Sequence, residues 1–362
     1  MPRVSAERFF DGHTLHGSTS VDLDDAGTVV AIGPSSGRAE HALLSPGLVD
    51  VQMNGWGDVD VAGASPTDLA RLDELLWREG TSHWLGTIVT APLETMAGTL
   101  ARLDSSRTDL PGMLGIHTEG PFLGGRPGAH DTRHIVAVEQ PYLSHLPASV
   151  RMVTIAAEAP GAPAAIESLV GRGVRVSIGH SAPTRDQWDL AVSAGAHMVT
   201  HLFNGMSGVH HRDGGLALWA LVDDRITCGL IADGHHVADE IVALVFLSAP
   251  GRVVLVSDSV AWKSPWALAR GVETGGGVAV LPDGTLTGST TSLLGCLRHV
   301  VLDIGIDLQT ALRAVTSRPA GLIGQDEHDV RAGTIAVGHR SDVIALDEGL
   351  RVVERFRAQR AD

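Results

Sequence analysis

The hydrophobic positions of the chain form short apolar runs, and stretches with helical periodicity separate most of them. Short, nearly continuous apolar runs are typical of strands that are buried on both faces of a parallel sheet. One intervening helix has a clear start, because Ser65 can act as its N-cap, Pro66 opens it and Asp68 follows. The predicted strands cover residues 47–53, 83–89, 113–117, 151–157, 174–179, 196–201, 226–232 and 252–257. Eight strands with helices between them indicate an α/β fold, a (β/α)8 TIM-like barrel.

A doubly wound parallel sheet is the alternative arrangement of strands and helices. Such a sheet has fewer strands and carries a nucleotide-binding loop. The sequence has no GxGxxG after its first predicted strand and no Walker lysine motif. The barrel is therefore the favoured fold.

The two ends of the chain differ from this central part. Residues 1–45 and 332–362 contain short alternating segments broken by glycine, a pattern typical of small β-sheets. Neither end has enough apolar residues to fold alone. We expect the two ends to pair into one small β-sandwich domain, with the barrel spanning residues 46–331.

Ionisable and amide side chains collect where the predicted strands end. These positions are Asn54, Glu119, His180, His201, Asp233, His235, His236 and Asp258. Barrel enzymes keep their chemistry at the carboxyl ends of the strands. A single histidine there is more often a satisfied core residue, but His180 and His201 follow neighbouring strands and suit a metal pocket. The sequence therefore predicts a metal site at this face of the barrel.

Composition narrows the range of partners. The formal net charge of −15 opposes general binding to nucleic acid or anionic membranes, because a negative field repels polyphosphate. The two cysteines, Cys228 and Cys296, lie in apolar segments and are expected to be buried free thiols. The sequence has no apolar run of signal-peptide or membrane-span type. We expect a cytoplasmic protein that binds a small molecule.

Several segments together resemble one known family, the N-acetylglucosamine-6-phosphate deacetylases of the amidohydrolase superfamily. The segments are PGLVDVQMNG at 46–55, GIHTEGPFL at 115–123, GAH at 128–130, GHS at 179–181, THLFNGM at 200–206, IADGHH at 231–236, VSD at 256–258 and DGTLTGS at 283–289. They occur in order from about residue 44 to the end of the chain, which makes the set specific. The resemblance implies a metal-bearing barrel and a small β-domain built from both chain ends.

The resemblance also implies roles for individual residues. It implies that Glu119, His180 and His201 bind the metal, that Asp258 is the acid and base, and that His130 lies beside the acetamide carbonyl. The remaining assignments concern the phosphorylated amino sugar, for which the implied binding residues are Arg212, His236, Asn204 and Gly205. The family resemblance further implies a homodimer in which the neighbouring subunit supplies part of the phosphate site.

The chain departs from the superfamily pattern after the first strand. Many amidohydrolases carry His-x-His there, whereas this chain has Gln52 and Asn54, which we expect to stand behind a single metal ion and to replace a second one by hydrogen bonds. Gly205 and Gly214 stand where the family usually has alanine and proline. These two changes concern local loop shape.

The expected reaction is metal-dependent hydrolysis of an acetamide. A divalent cation on two imidazoles and a carboxylate makes water a usable nucleophile at neutral pH. Zinc is favoured by ligand type, and iron, cobalt and manganese also fit. The alternative substrates are N-acetylgalactosamine 6-phosphate or another N-acetyl amino sugar, and the remote alternative is a non-catalytic barrel. The sequence leaves open the roles of His210, His211, His235, Trp262 and Trp266.

Overall fold

A computed structural model describes residues 3–275, 277–324 and 330–359. The strands, in chain order, are β1 (Arg3–Phe10), β2 (Leu15–His16), β3 (Thr19–Leu23), β4 (Val29–Pro34), β5 (His41–Pro46), β6 (Leu48–Met53), β7 (Gly55–Trp56), β8 (Val59–Asp60), β9 (Thr81–Val89), β10 (Met113–Glu119), β11 (Val150–Ile155), β12 (Arg175–Ile178), β13 (Met198–Val199), β14 (Thr227–Leu230), β15 (Val253–Leu255), β16 (Glu273–Gly275), β17 (Val278–Val280), β18 (Leu286–Ser289), β19 (Val330–Arg331), β20 (Arg340–Ser341), β21 (Val343–Leu346) and β22 (Val352–Phe356). The α-helices are α1 (Pro66–Arg78), α2 (Leu93–Ser106), α3 (Gln140–Ser144), α4 (Ala162–Gly171), α5 (Arg185–Ser193), α6 (Leu216–Val222), α7 (Asp239–Ser248), α8 (Pro265–Ala269), α9 (Leu293–Arg298), α10 (Leu308–Val315) and α11 (Ser317–Ile323).

Eight parallel strands form the central barrel, in the order β15-β14-β13-β12-β11-β10-β9-β6. The first and last strands meet where the Asp258 N–H donates to the Gln52 carbonyl at 3.0 Å and the Asn54 N–H donates to the Ser259 carbonyl at 3.0 Å. The barrel fold class is confirmed, and each predicted strand overlaps an observed one. The sixth predicted strand is the most shortened, because the chain turns at His201, whose φ is 31°.

Apolar side chains of the barrel strands divide between two clusters. One cluster joins strand residues such as Trp84 and Ile178 to helix residues such as Leu72 and Trp188, and it seals the helices onto the barrel. The second cluster includes Val51 with residues of β9, β10, β11, β13 and β15. Because strands on different sides of the barrel contribute to this second cluster, it fills the barrel interior, as expected for a packed barrel core.

Two helix starts show how local sequence fixes the helices. Ser65 caps α1 and forms a reciprocal capping box with Asp68, as its sequence predicts. Thr184 caps α5 in the same way with Gln187. Each cap satisfies backbone donors that the first helical turn leaves free.

Segments from both ends of the chain form a separate seven-stranded sheet. Its order is β22-β21-β5-β1-β3-β4, with β2 paired to β1. The β19–β20 ladder lies beside it, joined through the Val29 N–H and the His339 carbonyl at 2.9 Å. The separate β-sheet domain is thus confirmed, while its limits at residues 45 and 332 remain a prediction. Residues 1–2 and 360–362 of the predicted terminal domain, and 276 and 325–329 of the predicted barrel, lie outside the described residues.

Length and hydropathy of the helices bear on membrane association. Within the described ranges, no helix combines the length and the apolar character needed to cross a membrane.

Candidate metal centre and active site

Three residues at the centre of the site share a backbone conformation that is rare for residues other than glycine. His180, His201 and Asp258 follow β12, β13 and β15 with φ of 49°, 31° and 46°. Left-handed backbone at a non-glycine residue costs on the order of 1–3 kcal/mol and persists where the surrounding fold enforces it. The carboxyl ends of three barrel strands are therefore bent to direct these side chains.

The imidazoles and the Glu119 carboxylate converge on one point. His180 Nε2 lies 2.8 Å and His201 Nε2 lies 2.9 Å from Glu119 Oε1, and the two nitrogens are 3.1 Å apart. His130 Nε2 is 3.1 Å from His180 Nε2. Glu119, His130 and His180 each offer a ligand atom within 4.8 Å of the others. The structure thus brings four predicted site residues into one cluster.

The hydrogen-bond donors and acceptors in this cluster indicate that a cation binds between them. His180 Nδ1 lies 3.0 Å from the Arg126 carbonyl, which only accepts, so that nitrogen carries the proton of the neutral ring. His180 Nε2 then presents a lone pair to a carboxylate oxygen at 2.8 Å, which is unfavourable unless a positive charge lies between them. A backbone carbonyl behind a ligating histidine is also the usual support in metal sites. Glu119, His180 and His201 therefore fit a divalent metal ion.

Electrostatics within the cluster follow from burial and proximity. Burial alone raises the pKa of Glu119, but the neighbouring rings of His130, His180 and His201 outweigh it and hold the pKa well below its usual value. Burial lowers the pKa of His180 to about 4, with the neighbouring His130 adding to the effect. Burial also opposes charge on His201, yet Glu119 raises the pKa of that ring to about 9. Without metal, His201 is thus the protonated member of the cluster at neutral pH.

His130 has a different proton arrangement from His180. The Thr90 N–H donates to His130 Nδ1 at 3.4 Å, and Thr90 Oγ1 lies 2.9 Å from the same nitrogen. Because Nδ1 accepts, the proton of the neutral His130 ring is on Nε2, which faces His180. His130 is therefore set up as a hydrogen-bond donor to a group in the cluster.

Asp258 is held by the two amides that replace His-x-His. Gln52 Nε2 donates to Asp258 Oδ1 at 3.0 Å and to Glu119 Oε2 at 3.3 Å, and Asn54 Nδ2 donates to Asp258 Oδ1 at 2.7 Å. Burial, followed by the charge of Glu119, raises the pKa of Asp258 to about 7. A carboxyl near that value can both accept and release a proton at neutral pH.

A cavity of about 470 Å³ opens above this cluster. Of the residues predicted to bind the sugar, His236, Asn204 and Gly205 line it. His236 is fixed by Asp233, whose Oδ2 lies 2.8 Å from its Nδ1. The cavity is large enough for a phosphorylated monosaccharide, since small-molecule sites begin at about 300 Å³.

Arg212 is the one predicted site residue that the structure places away from this cavity. It is exposed at the tip of a hairpin closed by backbone hydrogen bonds between His210 and Gly214. Its Nη1 lies 3.0 Å from His211 Nε2. Within this chain, Arg212 and His211 therefore face solvent.

Sequence reasoning missed the cavity residues Thr90 and Arg270 and left the role of Trp266 open. Thr90 supports His130, and Trp266 and Arg270 line the wall formed by α8 and the turn after it. Trp262 stacks edge-on with Trp56 at 4.9 Å between ring centroids. The sequence marks DGTLTGS only as a family motif, yet residues 284–288 line the cavity. The only sequence signal for Arg270 was its position shortly after the eighth strand.

Comparisons with known proteins agree with this geometry. No family model matches the chain. N-acetylgalactosamine-6-phosphate deacetylase from Escherichia coli O157:H7 is 36% identical over 96% of this chain and 94% of that protein. N-acetylglucosamine-6-phosphate deacetylase from Caenorhabditis elegans is 32% identical over 88% of this chain and 82% of that protein. A mutant N-acetyl-D-glucosamine-6-phosphate deacetylase from Mycobacterium smegmatis, solved with N-acetyl-D-glucosamine-6-phosphate, superposes with a TM-score of 0.89, 30% identity and coverage of 99% and 98%.

The barrel and its cluster of histidines and carboxylates define a metal-dependent hydrolase of the amidohydrolase superfamily. Identity above 30% over most of both chains makes the relationship more specific than a shared fold. The chain belongs to the N-acetylglucosamine-6-phosphate deacetylase family.

Metal binding should release a proton from the metal-free protein. At pH 7.5 the His201 ring, with its pKa raised to about 9, is protonated and must lose that proton to bind a metal. We expect release of about one proton per metal ion and an apparent affinity that falls about tenfold per pH unit below about 9. Calorimetric titration of Zn²⁺ in buffers of different ionisation enthalpy measures this number. A titration without proton release would contradict the assignment of His201.

Proposed function

We propose that the protein hydrolyses the acetamide of N-acetyl-D-glucosamine 6-phosphate to glucosamine 6-phosphate and acetate, as a step in amino-sugar breakdown. The observation that carries this proposal is the position of Asp258 beside the Glu119–His180–His201 cluster, at the base of a cavity of about 470 Å³. The M. smegmatis neighbour holds that phosphorylated sugar. The ligand and acid–base assignments below belong to the same proposal.

Glu119, His180 and His201 would hold one divalent metal ion, which supplies a Lewis acid that makes water nucleophilic at neutral pH. We infer zinc, because two imidazoles and a carboxylate are a common zinc set, while Fe²⁺, Co²⁺ and Mn²⁺ share these ligands. Gln52 and Asn54 occupy the space where a second ion would need further ligands. We therefore propose one metal ion per chain.

Asp258 moves the protons of the reaction. Both amides bind Oδ1, so we assign the transfer to Oδ2. This oxygen takes a proton as water attacks the acetyl carbon, and it returns the proton to the sugar nitrogen as the C–N bond breaks. The second proton of the water passes from the acetic acid to the amine at neutral pH, so the products are acetate and the ammonium form of the amino sugar.

His130 stabilises the charge that develops on the acetyl oxygen. Thr90 keeps the ring proton on Nε2, the nitrogen that faces the cluster. A fixed N–H donor aimed at a developing oxyanion lowers the barrier without reorganisation. His236, Asn204 and Gly205 would position the sugar and its phosphate, because all three line the cavity.

We further propose a homodimer in which Arg212 enters the cavity of the partner subunit. Two features support this arrangement: Arg212 is exposed on a closed hairpin, and Val209 beside it is 56% exposed although it is apolar. Arginine can donate two parallel hydrogen bonds to a phosphate, and a side chain that faces solvent makes no use of this ability.

Mixing two defective variants tests the exchange of Arg212. Arg212→Gln and Asp258→Asn should each be strongly impaired alone. An equimolar mixture that reassorts at random should regain up to about a quarter of wild-type turnover, because about half of its dimers are mixed and each mixed dimer has one intact cavity of two. The regained activity comes from the cavity that has both its own Asp258 and the Arg212 of the other chain. Acetate release after co-refolding measures it. Absence of recovery, in dimers shown to be mixed, would contradict the shared site.

We place the reaction in the cytoplasm. The support is the pair of buried free thiols, Cys228 and Cys296, which suits a reducing compartment.

A second candidate substrate is the C4 epimer, N-acetylgalactosamine 6-phosphate. The observation in its favour is the 36% identity to the E. coli deacetylase named for that sugar. Acetate release from both epimers by the same preparation tests the proposal. We expect a higher kcat/KM for the glucosamine epimer. A clear preference for the galactosamine epimer would make that sugar the proposed substrate instead.

A further inference from the structure

Among the described residues that line the cavity, acidic side chains outnumber arginine and lysine. Four carboxylates line it, from Asp60, Glu119, Asp131 and Asp258. The whole chain carries a formal charge of −15. A phosphate dianion that enters this cavity away from the metal site needs a fixed cation close by, because the net negative charge of the chain opposes it.

Arg270 is such a cation in the same chain. Among the described residues that line the cavity, it is the only arginine or lysine. It follows α8, a short helix that is fixed at its start by Ser264, whose Oγ accepts from the Ala267 N–H at 3.2 Å. The guanidinium is half-buried, so its charge is partly shielded from water.

Two contacts hold the Arg270 side chain in place. Its guanidinium carbon lies 5.2 Å from the centre of the Trp266 ring, in the position of a cation–π contact. Its Nη2 donates to the Ala129 carbonyl at 3.3 Å. Within the described part of the chain it forms no ion pair with a carboxylate, so most of its five donors are available to a ligand.

The Ala129 contact relates Arg270 to the reaction centre. Ala129 directly precedes His130, and consecutive Cα atoms are about 3.8 Å apart. His130 Nε2 in turn lies 3.1 Å from His180 Nε2. The guanidinium is therefore anchored next to the segment that carries His130, within the same cavity.

We propose that Arg270 binds the phosphate of the substrate from within the same chain, a role that rests on the proposed function of the site. Its planar fork can donate two parallel hydrogen bonds to a phosphate monoester, and Trp266 pre-orients it at low entropic cost. The phosphate site then has a fixed cation in each subunit, and Arg212 of a partner would add to it.

A different role for Arg270 would be to position His130 through Ala129. The two roles give different kinetics. Loss of a phosphate contact raises KM for a phosphorylated substrate and leaves an unphosphorylated one unaffected. Loss of His130 positioning lowers kcat for both substrates.

The test compares Arg270→Gln, Arg270→Lys and a control, Arg185→Gln. Arg185 also stacks on a tryptophan, Trp219, at 5.5 Å, but it does not line the cavity. For Arg270→Gln we expect KM for N-acetylglucosamine 6-phosphate to rise roughly 10- to 100-fold, with kcat within about threefold of wild type. Arg270→Lys keeps the charge but not the planar fork, so its KM should lie between those of wild type and Arg270→Gln. Arg185→Gln should match wild type, and activity on N-acetylglucosamine should be the same in all.

Unchanged KM in Arg270→Gln would overturn the proposal, and so would an equal loss of kcat on both substrates. Binding of glucosamine 6-phosphate and of glucosamine, measured by calorimetry, separates this proposal from the proposed reaction. If the wild-type protein releases no acetate, yet Arg270→Gln weakens binding of the phosphorylated amine alone, the reaction is wrong and the role of Arg270 stands. If wild type is active and the variant binds both amines normally, the role of Arg270 is wrong.

Discussion

Asp258→Asn should lower kcat for acetate release by about 10²- to 10⁴-fold while the protein keeps its metal ion. Asparagine preserves the shape that Gln52 and Asn54 hold, but it can neither take a proton from water nor return one to the amine. Steady-state assays combined with metal analysis of the purified variant measure the two quantities. The combination of low turnover and full metal content identifies a proton-transfer residue.

Asp131→Asn is the matched control for this variant. Asp131 also lines the cavity, but its carboxylate is paired with Arg133, which lies 2.6 Å from Oδ2. This substitution should leave kcat within a few-fold of wild type. Asp258→Asn with undiminished turnover would remove Asp258 from the mechanism, and loss of the metal ion from it would assign Asp258 to metal binding.

His201→Ala and His130→Ala should differ in metal content. Both rings lie near Glu119 Oε1, His201 Nε2 at 2.9 Å and His130 Nε2 at 3.9 Å. The proton on His130 Nε2, fixed by Thr90, makes that ring a donor, whereas His201 Nε2 lies 2.9 Å from Glu119 Oε1. His201→Ala should therefore lose the metal and fall to background activity. His130→Ala should keep the metal and lose about 10²- to 10³-fold in kcat.

His117→Asn controls for the removal of a buried histidine. His117 lies in β10, but its ring nitrogens contact the Val51 carbonyl at 3.1 Å and Thr154 Oγ1 at 2.8 Å. The folded fraction of the His117→Asn protein should contain as much metal as wild type. A metal-free His130→Ala protein, or a metal-loaded His201→Ala protein, would show that the ligand assignment is reversed.

The barrel could be predicted from the sequence because buried parallel strands leave short apolar runs, such as residues 253–256 shortly before Asp258. The positions of His180, His201 and Asp258 followed from the same rule, since each lies at the carboxyl end of a predicted strand. Their left-handed backbone could not be predicted, because that conformation arises from tertiary contacts rather than from the local sequence.

Residues on loops were harder to predict than residues that follow strands. His130 was identified only through family resemblance, since its approach to His180 depends on a long loop folding back over the barrel. Arg270 gave no signal beyond its position after the eighth strand, because an arginine after a short helix is ordinarily a solvated surface residue. Arg212 was assigned to the phosphate, but within one chain it does not line the cavity, and the proposed homodimer would be needed to bring it there.

The central claim is that one metal ion, held by Glu119, His180 and His201, is required for hydrolysis of the phosphorylated acetamide. Its most direct test is to strip the protein with a chelator, add Zn²⁺ in fractional equivalents and follow acetate release from N-acetylglucosamine 6-phosphate. We predict no activity in the stripped protein and a linear rise that ends at one equivalent per chain. Full activity after stripping, or a rise that continues to two equivalents, would contradict the account.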